Sequence, residues 1–455
     1  MKIKQVVTLP GQASLAGPLL AGLKQLGLQI SDRFSGDNDR KHCLLICNSG
    51  YETTLAGSLL IREAMARGCP VLLDGDSVNH EAILEEIRET CDLSQKTQRG
   101  MEAYALYRCL QCDAKRLAGL QADTDDSTLL PRYVAAAYEK VQDLRYGENW
   151  HQKAALYCRD GEPGLHRASK LNGRDMSYNN MVDAETVLEM LMDLSQYDGV
   201  PVNKPLSVIV KHANPCGVAY GDTMAEAYRL SFATDPKSAF GGVIGFNRPV
   251  DLETAQAIGD SFVEVLLAPG YEPEALKILT ERKPNRRVLD IGDLLARKED
   301  LYRGFYQRNL FGGMMLQDYD TGDVKEWKVV TKRQPTDWER QALRFAWKVS
   351  KYVKSNALVY TSDCQTIGIG SGQVSRVDSA RFGAEKAEEH GLSTRGTVAA
   401  TDSFFPFRDG LDQTYEAGAL AVIHPGGSIR DAEVINAADE HGMAMVFTGM
   451  RHFRH

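Results

Sequence analysis

At 455 residues the chain is longer than one hydrophobic core usually serves, so two or three domains are expected. The hydrophobic share of 43% and charged share of 25% are those of an ordinary globular protein, and the net charge of -8 gives no indication of a nucleic-acid-binding surface. Neither a secretory signal nor a run of about 18 apolar residues is found, so a cytoplasmic protein away from membranes is expected, with its nine cysteines as free thiols.

Residues 1–125 predict a small parallel α/β domain. The runs HCLLICNS and CPVLLDG indicate buried strands, and ETTLAGSLLIREAMARG between them has the pattern of an amphipathic helix. Cys109 and Cys112 form a C-x-x-C pair, but YALYRCLQCDAKRL has a mid-helix pattern and no second pair follows at zinc spacing, so we interpret both cysteines as structural. The segment LQADTDDSTLLPRY predicts a linker.

Two further α/β modules are predicted after the linker, at residues 131–330 and 331–455. The first begins with a predicted helix, VAAAYEKVQDL, and includes the strand-like runs LSVIV and GGVIGFN. In the second, Thr336 and Glu339 have capping-box spacing and predict the start of the helix ERQALRFAWKVSKYV. Strands are predicted in ALVY, QTIGIG, AVIHPG and MAMVFTG, with a helix through SARFGAEKAEE. The fold class predicted for the whole chain is α/β.

Lys211 and His212 follow the strand LSVIV directly, and strand ends are where ligands bind in open α/β sheets. An imidazole can accept a proton near neutral pH, while an ammonium group can stabilise a developing oxyanion, as acyl-type transfer requires. A solvated lysine beside a structural histidine is the alternative. A zinc deaminase would carry H-x-E and P-C-x-x-C, whereas Ala-Asn follows His212 and Cys216 has no partner at that spacing, so no catalytic metal is expected.

Two loops have a composition suited to ligand binding. GIGSGQVSR, from Gly368 to Arg376, can bring backbone N–H groups close to an anion or a flat ring, or its glycines can be purely structural. FFPFRD, from Phe404 to Asp409, offers aromatic faces for a pterin or purine, or else closes the core with an Arg–Asp contact. Arg145 and Arg451 are candidate phosphate ligands.

Together these segments resemble one family, the AICAR transformylase domain of the bifunctional purine biosynthesis protein. The similarity extends from about residue 131 to His455 and rests on motifs in the order of the family: LRYGENWHQKAALY, SYNNMVDAE, VIVKHANPCGVA, DPKSAFGGVIGFNR, VKSNALVY, IGIGSGQVSR, FFPFRDGLD, HPGGSIRD and FTGMRHFRH. One departure is Trp150, where the family usually has proline; it lies beside the Arg145 loop and affects the expected placement of a phosphate.

The resemblance implies a phosphoribosylaminoimidazolecarboxamide formyltransferase, with 10-formyltetrahydrofolate as co-substrate and AICAR as acceptor. It also implies two cytidine-deaminase-like α/β units without a catalytic metal, and a homodimer with shared active sites. His212 would accept the proton and Lys211 would stabilise the oxyanion. The residues implied to hold AICAR are Arg145, Tyr146, Gly241, Glu264, Asn356, Phe404 and Arg451. Those implied on the folate side are Arg376, Asp409, Ser428 and Ile429.

The first 125 residues resemble a shortened methylglyoxal-synthase-like cyclohydrolase domain, the family's module for closing formyl-AICAR to IMP. The stretch from CPVLLDG to AKRL is similar to the end of that domain, but the Ser-Thr-Gly-Gly-Thr, Arg-Val-Lys-Thr-Leu-His-Pro and Asp-Ile-Gly-Gly signatures are missing. Arg67 replaces the expected acid/base lysine, and SDRFSGDNDR places Asp37 and Asp39 around Gly36, where they would repel a phosphate. We therefore expect cyclohydrolase activity to be absent.

Three alternatives stay open at this stage. A non-catalytic folate or nucleotide sensor would bind ligands without turnover, although it would have no need of both Lys211 and His212. A metal-dependent deaminase would contain stoichiometric zinc. A bifunctional enzyme with a divergent cyclohydrolase site would form IMP as well as formyl-AICAR.

Overall fold

A computed structural model describes residues 3–8, 17–31, 43–48, 54–74, 79–122, 130–197, 199–281 and 283–455. The chain forms two compact units, Met1–Glu139 and Lys140–His455. Both combine helices with parallel strands, so the predicted α/β class is confirmed. No helix within those described ranges is long and apolar enough to span a bilayer. The division into three predicted domains remains a prediction.

The first unit is a four-stranded, entirely parallel sheet with helices. Its strands are β1 (Gln5–Thr8), β2 (Gln29–Ser31), β3 (Cys43–Asn48) and β4 (Val71–Asp74), and its helices are α1 (Gly17–Gln25), α2 (Leu55–Ala66), α3 (His80–Thr90) and α4 (Gln95–Ala122). The strand order is β2-β1-β3-β4. The buried runs CLLICN and VLLD form β3 and β4, as predicted, because apolar residues on both faces suit a strand covered on two sides.

The C-x-x-C pair lies inside α4, with Cys109 buried and Cys112 half-buried, as its helical pattern predicted. None of the nine cysteines, all in described ranges, forms a disulfide. Most of the predicted linker, residues 123–129, lies outside the described residues, and so does the acidic loop with Asp37 and Asp39.

The second unit contains two six-stranded sheets. Its first part contains β5 (Glu139–Leu144), β6 (Ala154–Cys158), β7 (Ser169–Asn172), α5 (Tyr178–Leu194), β8 (Gln196–Tyr197), β9 (Val200–Pro201), β10 (Leu206–Lys211), β11 (Asn214–Tyr220), α6 (Met224–Thr234), α7 (Pro236–Ala239), β12 (Val243–Phe246), α8 (Leu252–Ile258), β13 (Val265–Ala268), α9 (Pro273–Glu281), β14 (Arg287–Asp290), α10 (Lys298–Leu301), β15 (Phe305–Leu310) and β16 (Gly313–Asp318). The remainder contains β17 (Lys328–Val329), α11 (Asp337–Ser350), β18 (Leu358–Thr361), β19 (Thr366–Gly370), α12 (Arg376–Glu389), β20 (Val398–Thr401), α13 (Arg408–Glu416), β21 (Ala421–His424), α14 (Asp431–Glu440) and β22 (Ala444–Phe447).

The two large sheets have the same topology. The first has the order β11-β10-β12-β13-β14-β7 and the second β19-β18-β20-β21-β22-β17. In each, an antiparallel hairpin lies at one edge, three parallel strands follow, and an antiparallel strand closes the other edge. The two halves are therefore structural repeats, a relation that no short tandem repeat in the sequence indicates.

The predicted helix in VAAAYEKVQDL is wrong. Residues 134–138 have no regular structure, and Glu139–Leu144 forms β5, which pairs only with β6. Alanine favours a helix, but these residues are almost all exposed, so no apolar face stabilises one and strand pairing prevails. By contrast the capping box is present: Glu339 N–H donates to Thr336 Oγ1 at 3.2 Å and Thr336 N–H donates to Glu339 Oε2 at 2.7 Å.

The two sheets are joined through their hairpin edges, β11 and β19. Tyr220 N–H donates to Cys364 O at 2.8 Å, and Ala219 forms an antiparallel bridge with Gln365. Thr366 Oγ1 accepts the N–H of Val218 at 2.9 Å. Because β10 and β18 lie next to these strands, the carboxyl end of β10 and the start of β18 reach the same edge of the unit.

A buried charge cluster joins α5 to α11. Asp193 accepts hydrogen bonds from Lys348 at 3.1 Å, Lys351 at 3.3 Å and Lys298 at 3.4 Å. Burial alone would raise the pKa of Asp193, but the three ammonium groups lower it to about 2. Since Asp193, Lys348 and Lys351 are all buried, each relies on these bonds in place of water.

We predict that Asp193→Asn lowers the free energy of unfolding at pH 7 by about 3 kcal/mol or more, because it leaves buried ammonium groups without their shared carboxylate. Because the pKa of Asp193 is lower in the folded than in the unfolded state, its ionisation stabilises the protein at pH values above the unfolded pKa, near 3.9. This stabilisation is lost as the pH falls toward 2. The gap between wild type and variant in urea unfolding should therefore narrow below about pH 4. The control Glu433→Gln, at an exposed ion pair with Arg430, should change little. Equal effects in the two variants would contradict this account.

Candidate active site at the shared edge of the two sheets

Lys211 and His212 lie at a tight hairpin turn. Lys211 ends β10 and pairs with Asn214, the first residue of β11, so His212 and Ala213 are the only two residues between the strands. Their φ angles are 56° and 55°, and left-handed φ at both central positions is the pattern of a type I′ turn. The His212 side chain is exposed at the tip of the turn.

Side chains from two other elements hold this turn. The Ala213 N–H donates to Asp183 Oδ1 of α5 at 2.6 Å. Asn214 Oδ1 accepts the N–H of Lys354 at 2.9 Å, which ties the turn to the segment before β18. Burial raises the pKa of Asp183, and the backbone hydrogen bonds oppose that shift. Neither Asp183 nor Lys354 was predicted from the sequence as a site residue, although both lie in motifs that resemble the family, SYNNMVDAE and VKSNALVY.

The Lys211 side chain binds the segment just before β12. Its Nζ donates to Phe240 O at 2.8 Å, and the next residue, Gly241, donates its N–H to Phe262 O at 2.8 Å. Gly241 has φ 74°, and a Cβ atom there would lie 3.1 Å from the Phe262 ring, so a side chain is disfavoured on both counts. The contact between Gly241 and Phe262 connects the segment that Lys211 binds to a basic cavity, whose wall includes Phe262.

This cavity has a volume of about 270 Å³ and lies where β13 and β14 begin. Glu264 in its wall pairs with Arg287 at 2.5 Å, and the buried Arg286 donates to Ser261 O at 2.7 Å. No ion pair in the described ranges engages the three remaining cations of the wall, so their charge is available to an anion. These cations are Arg145, Arg174 and Lys283.

Arg145 and Tyr146 are anchored beside the start of α5. Arg145 N–H donates to Met176 O at 3.1 Å and Tyr178 N–H to Tyr146 O at 3.2 Å, while the Arg145 guanidinium lies 5.2 Å from the Tyr146 ring centroid. Trp150, the departure from the family pattern, is 90% exposed. Sequence reasoning missed Arg174 and Lys283, because lone basic residues in loops carry no signal of their own.

Asn356 lies beside the second sheet, two residues before the start of β18. Its Nδ2 donates to Gln373 O at 2.9 Å, and its Oδ1 accepts from Arg376 Nη2 at 2.9 Å. Arg376 also donates to Asp402 Oδ1 at 2.6 Å and is 7% exposed. The guanidinium of Arg376, a residue expected on the folate side, therefore binds Asn356 and Asp402. Its bond fixes the orientation of the Asn356 amide, and the Nδ2 group of Asn356 keeps one N–H that Gln373 does not use.

The remaining expected residues follow the carboxyl ends of β20, β21 and β22. Phe404 is half-buried, two residues after Asp402, and Asp402 O accepts the N–H of His452, next to Arg451. Arg451 is exposed, with its guanidinium 4.2 Å from the Phe453 ring centroid. Asp409 and Ile429 are exposed and Ser428 is half-buried. Between their loops, the Arg430 guanidinium lies 4.8 Å from the Phe407 ring centroid.

Both loops contain structural contacts, and ligand binding by either loop stays a prediction. Cβ atoms at Gly368 and Gly370 would lie 2.1 and 1.9 Å from backbone oxygens of α12, so these glycines allow close strand–helix packing. Arg408 pairs with Asp412 at 2.8 Å and Glu440 at 2.9 Å and makes no ion pair with Asp409.

Cys216 is buried, and burial raises the pKa of its thiol to about 12. Within the described ranges, no three His, Cys, Asp or Glu residues are grouped as a metal site would require.

Comparison with known proteins identifies the class of protein. Residues 71–386 match the model of the family described as the AICARFT/IMPCHase bienzyme, and the chain belongs to this enzyme family. Among its relatives is the bifunctional purine biosynthesis protein PurH of Myxococcus xanthus (strain DK1622), which is 43% identical over 408 residues. The alignment covers 88% of this chain and 76% of the relative. The family resemblance seen in the motifs is thereby confirmed.

We predict that Ala213→Gly raises the free energy of unfolding by about 0.5 kcal/mol. Left-handed φ costs an alanine about 1–2 kcal/mol, and the greater entropy of glycine in the unfolded chain offsets about half of that gain. Ala219→Gly, in the extended strand β11, is the matched control and should be destabilising. The measurement is urea unfolding of both variants; a fall in stability for Ala213→Gly would show that the turn is not strained at this position.

Proposed function

We propose that this enzyme transfers the formyl group of 10-formyltetrahydrofolate to the amine of AICAR, giving formyl-AICAR and tetrahydrofolate in IMP biosynthesis. The observation that carries the proposal is the exposed His212 in a fixed turn, next to Lys211 and a cavity with three available cations. The family match and the PurH relative support the same activity.

The reaction assigns separate tasks to the two turn residues. The AICAR amine attacks the formyl carbon, His212 accepts the proton that this nitrogen loses, and the carbonyl oxygen becomes an oxyanion. Lys211 carries three N–H donors, one of which is used by Phe240 O, so two are left to stabilise that oxyanion. The oxyanion then re-forms the carbonyl double bond as the bond from the formyl carbon to N10 of the folate breaks, and N10 takes up the proton held by His212.

We assign the two substrates to the ends of the two sheets from the family resemblance, and the charge of the cavity supports this assignment. The cavity lined by Arg145 and Glu264, with Tyr146 and Gly241 beside it, suits an anionic nucleotide. Asn356, Phe404 and Arg451 would complete its binding from the second sheet. The exposed Asp409 and Ile429 and the half-buried Ser428 would line the folate side, and the buried Arg376 would support it by orienting Asn356.

The finer architecture is also part of the proposal. We assign a methylglyoxal-synthase-like fold to residues 1–125 and cytidine-deaminase-like folds to residues 131–330 and 331–455. The identical strand orders of the two large sheets support the second assignment. A cytoplasmic homodimer with active sites shared between subunits, and no catalytic metal, completes the proposal; these features rest on the family resemblance.

We predict that His212→Ala lowers kcat for formyl transfer by about 10²- to 10⁴-fold, the usual effect of losing a general base. Lys211→Ala should lower it by about 10²-fold or more through loss of oxyanion stabilisation. AICAR affinity, measured by calorimetry, should be retained in His212→Ala. Near-native turnover in this variant would rule out His212 as the base. Binding of both substrates by wild type without any turnover would instead favour the sensor.

We further predict that the chain does not close formyl-AICAR to IMP. Arg67, which replaces the expected lysine, pairs with Glu63 at 2.6 Å at the end of α2, and an arginine does not exchange its proton near neutral pH. Purified formyl-AICAR is supplied, and the ultraviolet spectrum is followed for IMP. Catalytic IMP formation that scales with enzyme and persists in His212→Ala would establish the bifunctional alternative with a divergent site.

A further inference from the structure

Asp183 is a buried carboxylate whose hydrogen bonds go to the turn that carries His212. It lies in the second turn of α5, whose start is fixed by a capping box between Ser177 and Asn180. Its Oδ1 accepts the Ala213 N–H at 2.6 Å. Burial raises the pKa of Asp183, while the hydrogen bond from Ala213 and the charges of His212 and Lys354 oppose that shift without reversing it.

The turn needs such a support because of its sequence. Type I′ turns favour asparagine and glycine, since both central residues adopt positive φ. Here an imidazole is required at the first position and alanine occupies the second, so both residues bear the cost of the left-handed conformation. A carboxylate that accepts the Ala213 N–H of this turn offsets that cost and fixes the direction in which the His212 Cα–Cβ bond points.

We propose that Asp183 is the positioning residue of His212: its carboxylate holds the left-handed turn and places the imidazole toward the reacting amine. The inference rests on the proposed function for the identity of the reaction, but not for the geometry.

Two substitutions separate the parts of this role. Asp183→Asn keeps one oxygen for the Ala213 N–H but removes the charge of the carboxylate. Asp183→Ala also removes the hydrogen bond between residue 183 and the turn. We expect kcat to fall by about 10-fold in the first and about 10²-fold in the second, because a displacement of about 1 Å can cost that much. KM for both substrates should stay within about threefold, since other elements bind them.

Val187→Ala is the matched control, because Val187 lies one turn further along α5, is fully buried in the core and does not contact the turn through a hydrogen bond. It should lower the melting temperature while leaving kcat unchanged. A fall of kcat in Val187→Ala that matches the Asp183 variants at equal loss of stability would reduce Asp183 to a structural role and overturn the proposal.

A second readout does not depend on catalysis. The His212 imidazole proton resonance is identified as the signal that is lost in His212→Ala, and it should shift in Asp183→Asn and Asp183→Ala but not in Val187→Ala. An unshifted resonance together with native kcat in folded Asp183→Asn would overturn the inference. Should the wild type show no formyl transfer, the proposed function fails while the resonance still tests whether Asp183 positions His212. If Asp183→Ala does not fold, Asp183→Asn carries both measurements.

Discussion

The candidate site depends on the pairing of β11 with β19. Each of the two sheets by itself presents half of the expected residues: one has the Lys211–His212 turn and the basic cavity, and the other has Asn356 and the loops after β20, β21 and β22. The antiparallel bridge at Ala219 brings these ends to one edge. The hydrogen bond from the Lys354 N–H to Asn214 then ties the turn that carries His212, the proposed base, to the segment that carries Asn356, whose amide is proposed to bind the substrate.

The structural repeat places a side-chain oxygen at corresponding positions of the two sheets. Asp402 follows β20 and accepts the N–H of Ala357, the residue before β18; Asn247 follows β12 and accepts the N–H of Leu206, the first residue of β10. The two oxygens thus do equivalent work in the two sheets. Asp402 also binds Arg376, at the first position of α12, whereas α6 begins with Met224 at the corresponding place. A neutral amide suffices where no guanidinium has to be neutralised.

Much of this could be predicted from the sequence wherever the signal is local. The capping box of α11, the buried runs of β3 and β10 and the Lys211–His212 pair at a strand end all depend on residues a few positions apart. Asp183 could not be predicted in its role, because its partner lies 30 residues away and reaches it through the backbone. The helix predicted in VAAAYEKVQDL was wrong because propensity does not reveal that β6 is available for pairing.

The protonated thiol of Cys216 has a practical consequence for chemical probes of this enzyme. Alkylating and oxidising reagents attack the thiolate, and a buried thiol whose pKa is about 12 contains almost none at neutral pH. Cys91, at the end of α3 in the other unit, is exposed. Fluorophores and spin labels with a maleimide group can therefore be attached to Cys91 while the strand next to the proposed catalytic turn keeps its native chemistry.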